Sequence, residues 1–206
     1  MQRSLAFALL LFLLTVPCQG AEFGAWDNVG SKDGVSLSQR QNTKSGLNEY
    51  RAVGTVDAPV DEVLEVLENV KDAPEFMPYV KSVKLIDSTP GRQIFYQRIQ
   101  PPFVTDRDYT LTFVTTKRDS PEGPAYRLTW VTANEKGPAV QEGVVRVEVN
   151  EGYWDLEPTD GGKATKLAYS VYTDIGSGIP PFLLKKGNAI ALPKLFKAIR
   201  KRVAEN

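Results

Sequence analysis

The stretch RQIFYQRIQPPFVTDRDYTLTFVTT, residues 92–116, decides the fold that we predict for this chain. Both ends of the stretch are rich in β-branched and aromatic residues, and Pro101-Pro102 lies between them. Strand-forming runs separated by turn residues are typical of neighbouring strands. Because the connection is short, the stretch predicts two antiparallel strands that pair with each other.

The same composition recurs on both sides of this stretch. Turn signals such as Pro90-Gly91 and Asp160-Gly161-Gly162 separate the runs, which favours an antiparallel meander. Further strands are predicted at residues 35–41, 49–56, 83–87, 126–133, 144–149, 153–158 and 166–173.

Helices are predicted before and after the meander. Pro59 opens the first helix, where its missing N–H costs nothing, and Pro74 ends it before a compact turn or a second short helix at 76–78. The last helix starts at Pro181, and Pro193 should kink or restart it. Its apolar face holds Leu192, Leu195, Phe196, Ile199 and Val203. This order predicts an α+β fold in which a curved antiparallel sheet wraps around a long C-terminal helix.

Composition excludes several kinds of site. The chain has 206 residues, with 25 Lys and Arg against 25 Asp and Glu, no His and one Cys. Chemistry that needs histidine, such as a Ser-His-Asp triad or a Cys-His pair, is therefore excluded, and so are zinc fingers. Balanced charge argues against nucleic acid as a partner, because phosphate backbones demand a basic excess. We expect neither a metal nor a cofactor.

The first twenty residues are predicted to be a cleaved signal peptide. Arg3 precedes the apolar run 5–16, and the small residues Cys18 and Gly20 stand where signal peptidase cleaves before Ala21. The run is shorter than the ~20 residues of a membrane-spanning helix. A lipid on Cys18 is the alternative, although Pro17 fits that motif poorly. Residues 21–206 then form one exported domain, expected in a bacterial periplasm.

Four pieces of the chain, in order, resemble the START domain, the lipid-binding branch of the helix-grip superfamily. The piece 102–109 is close to the Arg-Asp-aromatic signature of that family. The other pieces are 50–59, then 143–148 followed by Trp154, Pro158 and 165–167, and finally residue 174 through Ile179-Pro180 into the terminal helix. The resemblance covers nearly all of residues 26–203.

The resemblance implies a sheet that grips the C-terminal helix, with an apolar tunnel between them that holds one lipid or sterol, and mostly no catalysis. Periodicity alone would favour a solid core. A tunnel of about 300–1,000 Å³ is usual for small-molecule sites. The residues predicted to line it share strand faces or lie on the last helix: Phe95, Gln97, Ile99, Tyr109, Leu111, Phe113, Tyr126, Leu128, Trp130, Leu184, Ala191, Leu192 and Leu195.

The sequence departs from the sterol-binding members of that family at two positions. Those members place a buried acid and an Arg where Gln97 and Phe113 stand here by rough alignment. The tunnel is therefore expected to be neutral, with Gln97 available for a hydrogen bond to a ligand head group, and a sterol ligand is left open.

Two groups could suggest acid–base chemistry. Arg107 and Asp108 are expected to pin the hairpin that follows Pro101-Pro102, since the resemblance implies this structural role. The tyrosines at 96, 109, 169 and 172 are expected to be neutral, because the usual tyrosine pKa is about 10. Aromatic filling of the core is the favoured role for these four rings.

Residues 175–204 contain seven basic residues and no acidic residue. One interpretation is a solvated helix face with a favourable helix dipole. The other is peripheral docking on an anionic membrane, with the helix and the loop 117–125 forming a gate for the lipid. The docking residues would be Lys185, Lys186, Lys194, Lys197 and Lys201.

The function predicted first is non-catalytic binding, and transfer or shielding, of one hydrophobic molecule or lipid. The alternative is an enzyme of the same superfamily fold, a cyclase or hydrolase acting on a hydrophobic or aromatic substrate, which would need convergent polar groups in the pocket. A third class is an interaction module that uses the tunnel only structurally.

Overall fold

The computed structural model describes residues 22–102, 104–176 and 181–206, with side chains described from residue 187 onward in the last range. The predicted signal peptide, residues 1–20, lies outside the described residues, and its cleavage stays a prediction. Within the described ranges, no helix is both long enough and apolar enough to cross a membrane.

Ten strands of the described chain form one sheet in the order β1-β2-β3-β10-β9-β7-β6-β5-β4, and β8 pairs with β6 outside this path. All neighbours are antiparallel except β8 and β6, which are parallel. The strands are β1 Asp27–Lys32, β2 Val35–Gln41, β3 Asn48–Val56, β4 Val80–Thr89, β5 Arg92–Ile99, β6 Arg107–Ser120, β7 Gly123–Thr132, β8 Val145–Arg146, β9 Val149–Thr159 and β10 Ala164–Asp174.

The helices are α1 Val60–Glu68, α2 Ala73–Phe76 and α3 Pro181–Ala204. They confirm the predicted α+β architecture, a curved antiparallel sheet with a long C-terminal helix. α1 ends at Glu68, so the helix end predicted at Pro74 is wrong. A short helix, α2, does follow α1, but it spans Ala73–Phe76 rather than 76–78, with Pro74 in its first turn. α3 continues through Pro193, so the expected restart is wrong. Packing of its neighbour Leu192, which is buried against the sheet, offsets the loss of one backbone hydrogen bond at Pro193.

β1 was not predicted from the sequence, and the strand predicted at 144–149 is longer than the one the structure shows there. β1 has one half-buried residue, Val29, so it shows little alternation. The signal that could have found it is Asp33-Gly34, where both residues have positive φ, 53° and 72°, as a tight hairpin turn requires. In 144–149, β8 spans Val145–Arg146 and β9 starts at Val149. Val147 and Glu148 lie between them, and Val147 is buried in the core.

The C-terminal half of α3 is fixed tightly to the sheet and to α1. A Cβ on Gly54 would lie 3.1 Å from the Phe196 ring and 3.1 Å from the Arg200 guanidinium, so the missing side chain permits this approach. Arg200 donates hydrogen bonds of 2.8 Å to the Thr55 and Asp33 carbonyls, and Arg202 donates one of 2.7 Å to Asp72. The described part of the N-terminal half of α3 instead faces a cavity.

Candidate functional site

A cavity of about 250 Å³ lies between the concave face of the sheet and α3. Strand residues of β4, β5, β6, β7, β9 and β10 form one side of the cavity. α1, α2 and the turn Met77-Pro78-Tyr79 close a second side, and α3 covers it. The volume is somewhat below the range of about 300–1,000 Å³ that is usual for ligand sites.

Ten of the thirteen residues predicted to line the tunnel do lie around this cavity. Their contact with a ligand stays a prediction. They come from three strands and from α3: Phe95, Gln97, Ile99, Tyr109, Leu111, Phe113, Trp130, Ala191, Leu192 and Leu195.

Two predicted lining residues lie elsewhere, and the side chain of a third, Leu184, lies outside the described residues. Leu128 is fully buried in the solid core, and Tyr126 donates a 2.9 Å hydrogen bond to Asp61 of α1. Strand alternation predicts that both side chains lie on the inner face of the sheet, but it does not show how far the cavity extends along that face. Here α1 packs against that part of the face and fills it.

The prediction missed about half of the cavity wall. Tyr169 and Val171 alternate on β10, so the pattern that found Trp130 could have found them. Leu67, Val70, Ala73 and the turn Met77-Pro78-Tyr79 come from helices and a turn, where periodicity marks burial without distinguishing a cavity from a core. Val80 is the first residue of β4. The other missed lining residues are Pro101, Asn150, Trp154 and Asn188.

Aromatic rings form a continuous series that runs along the sheet side of the cavity and ends on Phe196 of α3. Neighbouring centroids lie 4.4 to 6.4 Å apart, within the range of favourable ring contacts. Trp130 is stacked between two of its neighbours with interplanar angles of 18° and 25°. In order, the series is Phe95, Phe113, Trp130, Tyr169, Trp154 and Phe196. It gives the cavity a rigid apolar wall.

A small polar group interrupts this apolar wall. Gln97 on β5 donates a 3.0 Å hydrogen bond from Nε2 to the hydroxyl of Tyr109 on β6. The Trp130 indole donates a 3.1 Å bond to Oδ1 of Asn150 on β9. Gln97, Tyr109 and Asn150 all line the cavity and together form a polar centre among its described residues.

Burial keeps the tyrosines of the cavity protonated. Loss of solvation raises the pKa of Tyr109 well above its ordinary value, and the nearby Asn150 side chain lowers the pKa by less. Loss of solvation also raises the pKa of Tyr169, and the nearby Tyr109 adds to this effect. Both hydroxyls therefore remain neutral donors throughout the physiological pH range.

Asp108 lies on the other face of β6 from Tyr109, because alternate residues point to opposite faces. It is buried and accepts a 2.7 Å hydrogen bond from Nε of Arg146 on β8. The Tyr96 hydroxyl donates a second bond of 2.9 Å, and loss of solvation followed by the Asp108 contact raises the pKa of Tyr96 to about 12. The structural role expected for Asp108 fits these contacts, although Arg146 was not anticipated as its partner.

Arg107 is also buried and also makes structural contacts. It donates to the Thr105 carbonyl and, over 3.4 Å, to the carbonyl of Ile175. Arg107 therefore ties the start of β6 to the segment that leads toward α3.

The basic residues of α3 fall into two groups. Arg200 and Arg202 bond to the body of the protein, as described above. Lys194, Lys197 and Lys201 are exposed, and Lys201 lies 3.5 Å from Glu205. The side chains of Lys185 and Lys186 lie outside the described residues. Membrane docking by these lysines stays a prediction.

The proposed gate loop at 117–125 is not a loop beside the cavity. β6 and β7 extend as a hairpin through these residues, leaving only a tight turn between Ser120 and Gly123. None of the residues 117–125 is among those described around the cavity. The cavity is bounded instead by the turn Met77-Pro78-Tyr79, by Pro101 and by α3. The long β6 strand is the reason, since it carries the hairpin tip away from the helix.

Comparison with known proteins agrees with this architecture. Residues 56–200 match the family described as polyketide cyclase / dehydrase and lipid transport. An uncharacterised protein of Pseudomonas aeruginosa is 28% identical over 159 residues, which cover 77% of this chain and 76% of that protein.

Solved structures with a similar fold include proteins named for lipid transfer. The STAR-related lipid transfer protein of Xanthomonas axonopodis matches with a TM-score of 0.75 and 23% identity, over 87% of this chain and 98% of that one. Human StAR-related lipid transfer protein 5 matches with a TM-score of 0.78 and 18% identity, over 91% and 89%. These likenesses confirm the resemblance to START domains, and at such identities they concern the fold.

Proposed function

Since the chain belongs to the polyketide cyclase / dehydrase and lipid transport family, we propose that it binds one hydrophobic molecule in its internal cavity and shields or transfers it without changing it chemically. The observation that supports this most directly is the apolar cavity beneath α3, with its series of aromatic rings. Lipid transfer is named for two proteins of similar fold, which is consistent with the proposal.

Burial of an apolar ligand provides enough free energy for binding. Removing ~400 Å² of ligand surface from water contributes roughly 10 kcal/mol, at about 25 cal/mol per Å², before the entropic cost of association. The aromatic wall supplies this contact area without needing a catalytic group. The volume of about 250 Å³ favours a ligand with one narrow chain over one with two.

A second candidate function is the cyclase chemistry that the family description also includes. The observation that favours it is the polar centre of Gln97, Tyr109 and Asn150 inside the cavity. Proton abstraction from a ketone would require a base, whereas burial raises the pKa of Tyr109 and so keeps its proton in place. A polar centre that keeps its protons favours binding of a ligand over catalysis of this reaction.

The proposal is tested by organic extraction and mass spectrometry of protein purified from its native host without detergent. We expect one lipid class to be recovered in a constant molar ratio to the protein, with an unchanged mass after prolonged incubation. Recovery of no lipid, together with conversion of an added poly-β-ketone, would instead establish the cyclase.

We also propose that the chain is exported, because residues 1–20 have the pattern of a signal peptide. N-terminal sequencing of the protein from a periplasmic fraction is expected to begin at Ala21. An intact Met1, or a lipid attached to Cys18, would contradict cleavage before Ala21.

Peripheral docking of α3 on an anionic membrane is a further part of the proposed function. Replacing Lys194, Lys197 and Lys201 with glutamate is expected to weaken binding to vesicles containing phosphatidylglycerol by at least about tenfold, since each basic residue contributes ~1 kcal/mol at such a surface. The rate of lipid uptake from these vesicles should fall in parallel. Stopped-flow transfer of a fluorescent lipid measures it.

The matched control reverses three exposed lysines on other surfaces, Lys84, Lys136 and Lys163, which gives the same net charge. This control should bind and transfer nearly as the wild type does, and neutral vesicles should not distinguish the variants. An equal loss in both triple variants would show that only net charge matters and would refute docking by α3.

A further inference from the structure

The polar centre of the cavity presents a hydrogen-bond donor to a ligand. Asn150 has a determined orientation, because the Trp130 indole can only donate and therefore faces the Asn150 carbonyl oxygen. The Asn150 amide nitrogen is then left to donate to another group. Gln97 donates to the Tyr109 hydroxyl from its own amide nitrogen. This bond uses a lone pair of the Tyr109 oxygen, so the proton of the hydroxyl is left to donate.

This conclusion does not depend on the orientation of Gln97. If the Gln97 amide were turned over, Tyr109 would donate to its carbonyl oxygen and the Gln97 NH₂ group would face the cavity. Either arrangement directs an O–H or N–H donor at the space beside the aromatic rings. Tyr169 also lines the cavity.

No side chain among the described lining residues carries a charge that would neutralise a charged ligand. Among the lining residues that the structure describes, the polar side chains are uncharged amides, phenols and an indole. A buried carboxylate or ammonium without a partner of opposite charge is strongly disfavoured. A neutral acceptor, such as a carbonyl oxygen, satisfies the donors at no such cost.

On the premise that the proposed function is correct, we propose that the cavity selects neutral lipids whose polar end is a carbonyl group, and that Tyr109 donates a hydrogen bond to that oxygen. Tyr109 is then the residue that determines specificity for the head group. The narrow cavity and the adjoining rings accept the attached chain.

Four probes with the same ten-carbon chain test this selection: methyl decanoate, decanoic acid at pH 8, decylamine and decane. Their affinities are compared by displacement of the neutral dye Nile red from the full mature chain. We expect the ester to bind roughly three- to tenfold more tightly than decane, the range for one net hydrogen bond, and the acid and amine to bind at least tenfold more weakly than the ester.

Tyr109→Phe should lower the affinity for the ester toward that for decane and leave the affinity for decane unchanged. A merely structural effect would weaken both. Tyr172→Phe is the matched control, because its hydroxyl bonds to Ser45 outside the cavity, and it should change none of the four affinities.

The outcomes separate the two proposals. Equal affinities for all four probes, or tighter binding of the acid, would overturn the head-group selection and leave lipid binding intact. Retention of the full ester preference in Tyr109→Phe would overturn the role of Tyr109. Failure of all four probes to displace the dye would count against lipid binding itself.

Discussion

Replacing Ala191 with tryptophan is expected to weaken the binding of a single-chain lipid by at least roughly 100-fold, which corresponds to about 2.7 kcal/mol. Ala191 lies on the side of α3 that faces the cavity. A cavity of about 250 Å³ cannot hold both an indole and an acyl chain. The indole would occupy the space beside the aromatic wall and exclude the ligand. Isothermal titration with methyl decanoate measures the loss.

The same helix supplies the matched control for this variant. Ala189 is exposed, so Ala189→Trp places an identical side chain on the solvent side and should leave the affinity unchanged. The Ala191→Trp protein should remain folded, because its indole enters space that is already empty, with an overpacking cost of at most about 1–3 kcal/mol. Wild-type affinity in Ala191→Trp would show that the ligand binds elsewhere.

Replacing Asp108 with alanine is expected to lower the free energy of unfolding by about 3–5 kcal/mol, the usual cost of leaving one partner of a buried ion pair alone. The Arg146 side chain is only 8% exposed and would lose its main acceptor, and the Tyr96 hydroxyl would lose its acceptor as well. For a chain of this length the loss corresponds to a fall in Tm of roughly 6–20 °C. Urea denaturation followed by circular dichroism measures it.

Asp155→Ala provides the control for this second prediction. Like Asp108, Asp155 forms ion pairs with arginine. Its two partners, Arg118 and Arg127, have side chains that are 40% and 46% exposed. Exposed pairs contribute at most about 1 kcal/mol each, so this variant should lose far less stability. Adding Arg146→Met to Asp108→Ala should restore part of the loss, since no unpaired buried charge remains. If Asp108→Ala is as stable as the wild type, the structural role assigned to Asp108 is wrong.

The fold could be predicted from the sequence where alternation and turn residues agree. β5 and β6 showed both, and their register places Gln97 opposite Tyr109, on the face that lines the cavity. β1 could not be found in this way, because an edge strand exposed on both faces has no reason to alternate. Residues 144–149 have the composition of one strand, yet Val147 belongs to neither β8 nor β9, and its side chain is buried in the core.

The site was harder to predict than the fold, for a physical reason. Alternation shows which side chains face inward, but the volume of the opposing helix decides whether they meet a cavity or a solid core. Trp130 and Leu128 have the same parity on β7, and only Trp130 lines the cavity, because α1 fills the space over Leu128. No pattern in the sequence around Asn150 points to Trp130, so the hydrogen bond between them is known only from the three-dimensional structure.

Tryptophan fluorescence tests the internal binding of a lipid most directly. The chain has three tryptophans. Trp130 and Trp154 line the cavity, whereas Trp26 packs against Arg40 outside it. Bromine quenches indole emission on contact, so methyl 10-bromodecanoate reports which rings it reaches. In Trp26→Phe, saturation with this ester should quench most of the emission. In the Trp130→Phe/Trp154→Phe double variant, checked for folding by circular dichroism, the remaining emission should not change. Unquenched emission in the first protein, or quenching of Trp26 in the second, would contradict a ligand site beneath α3.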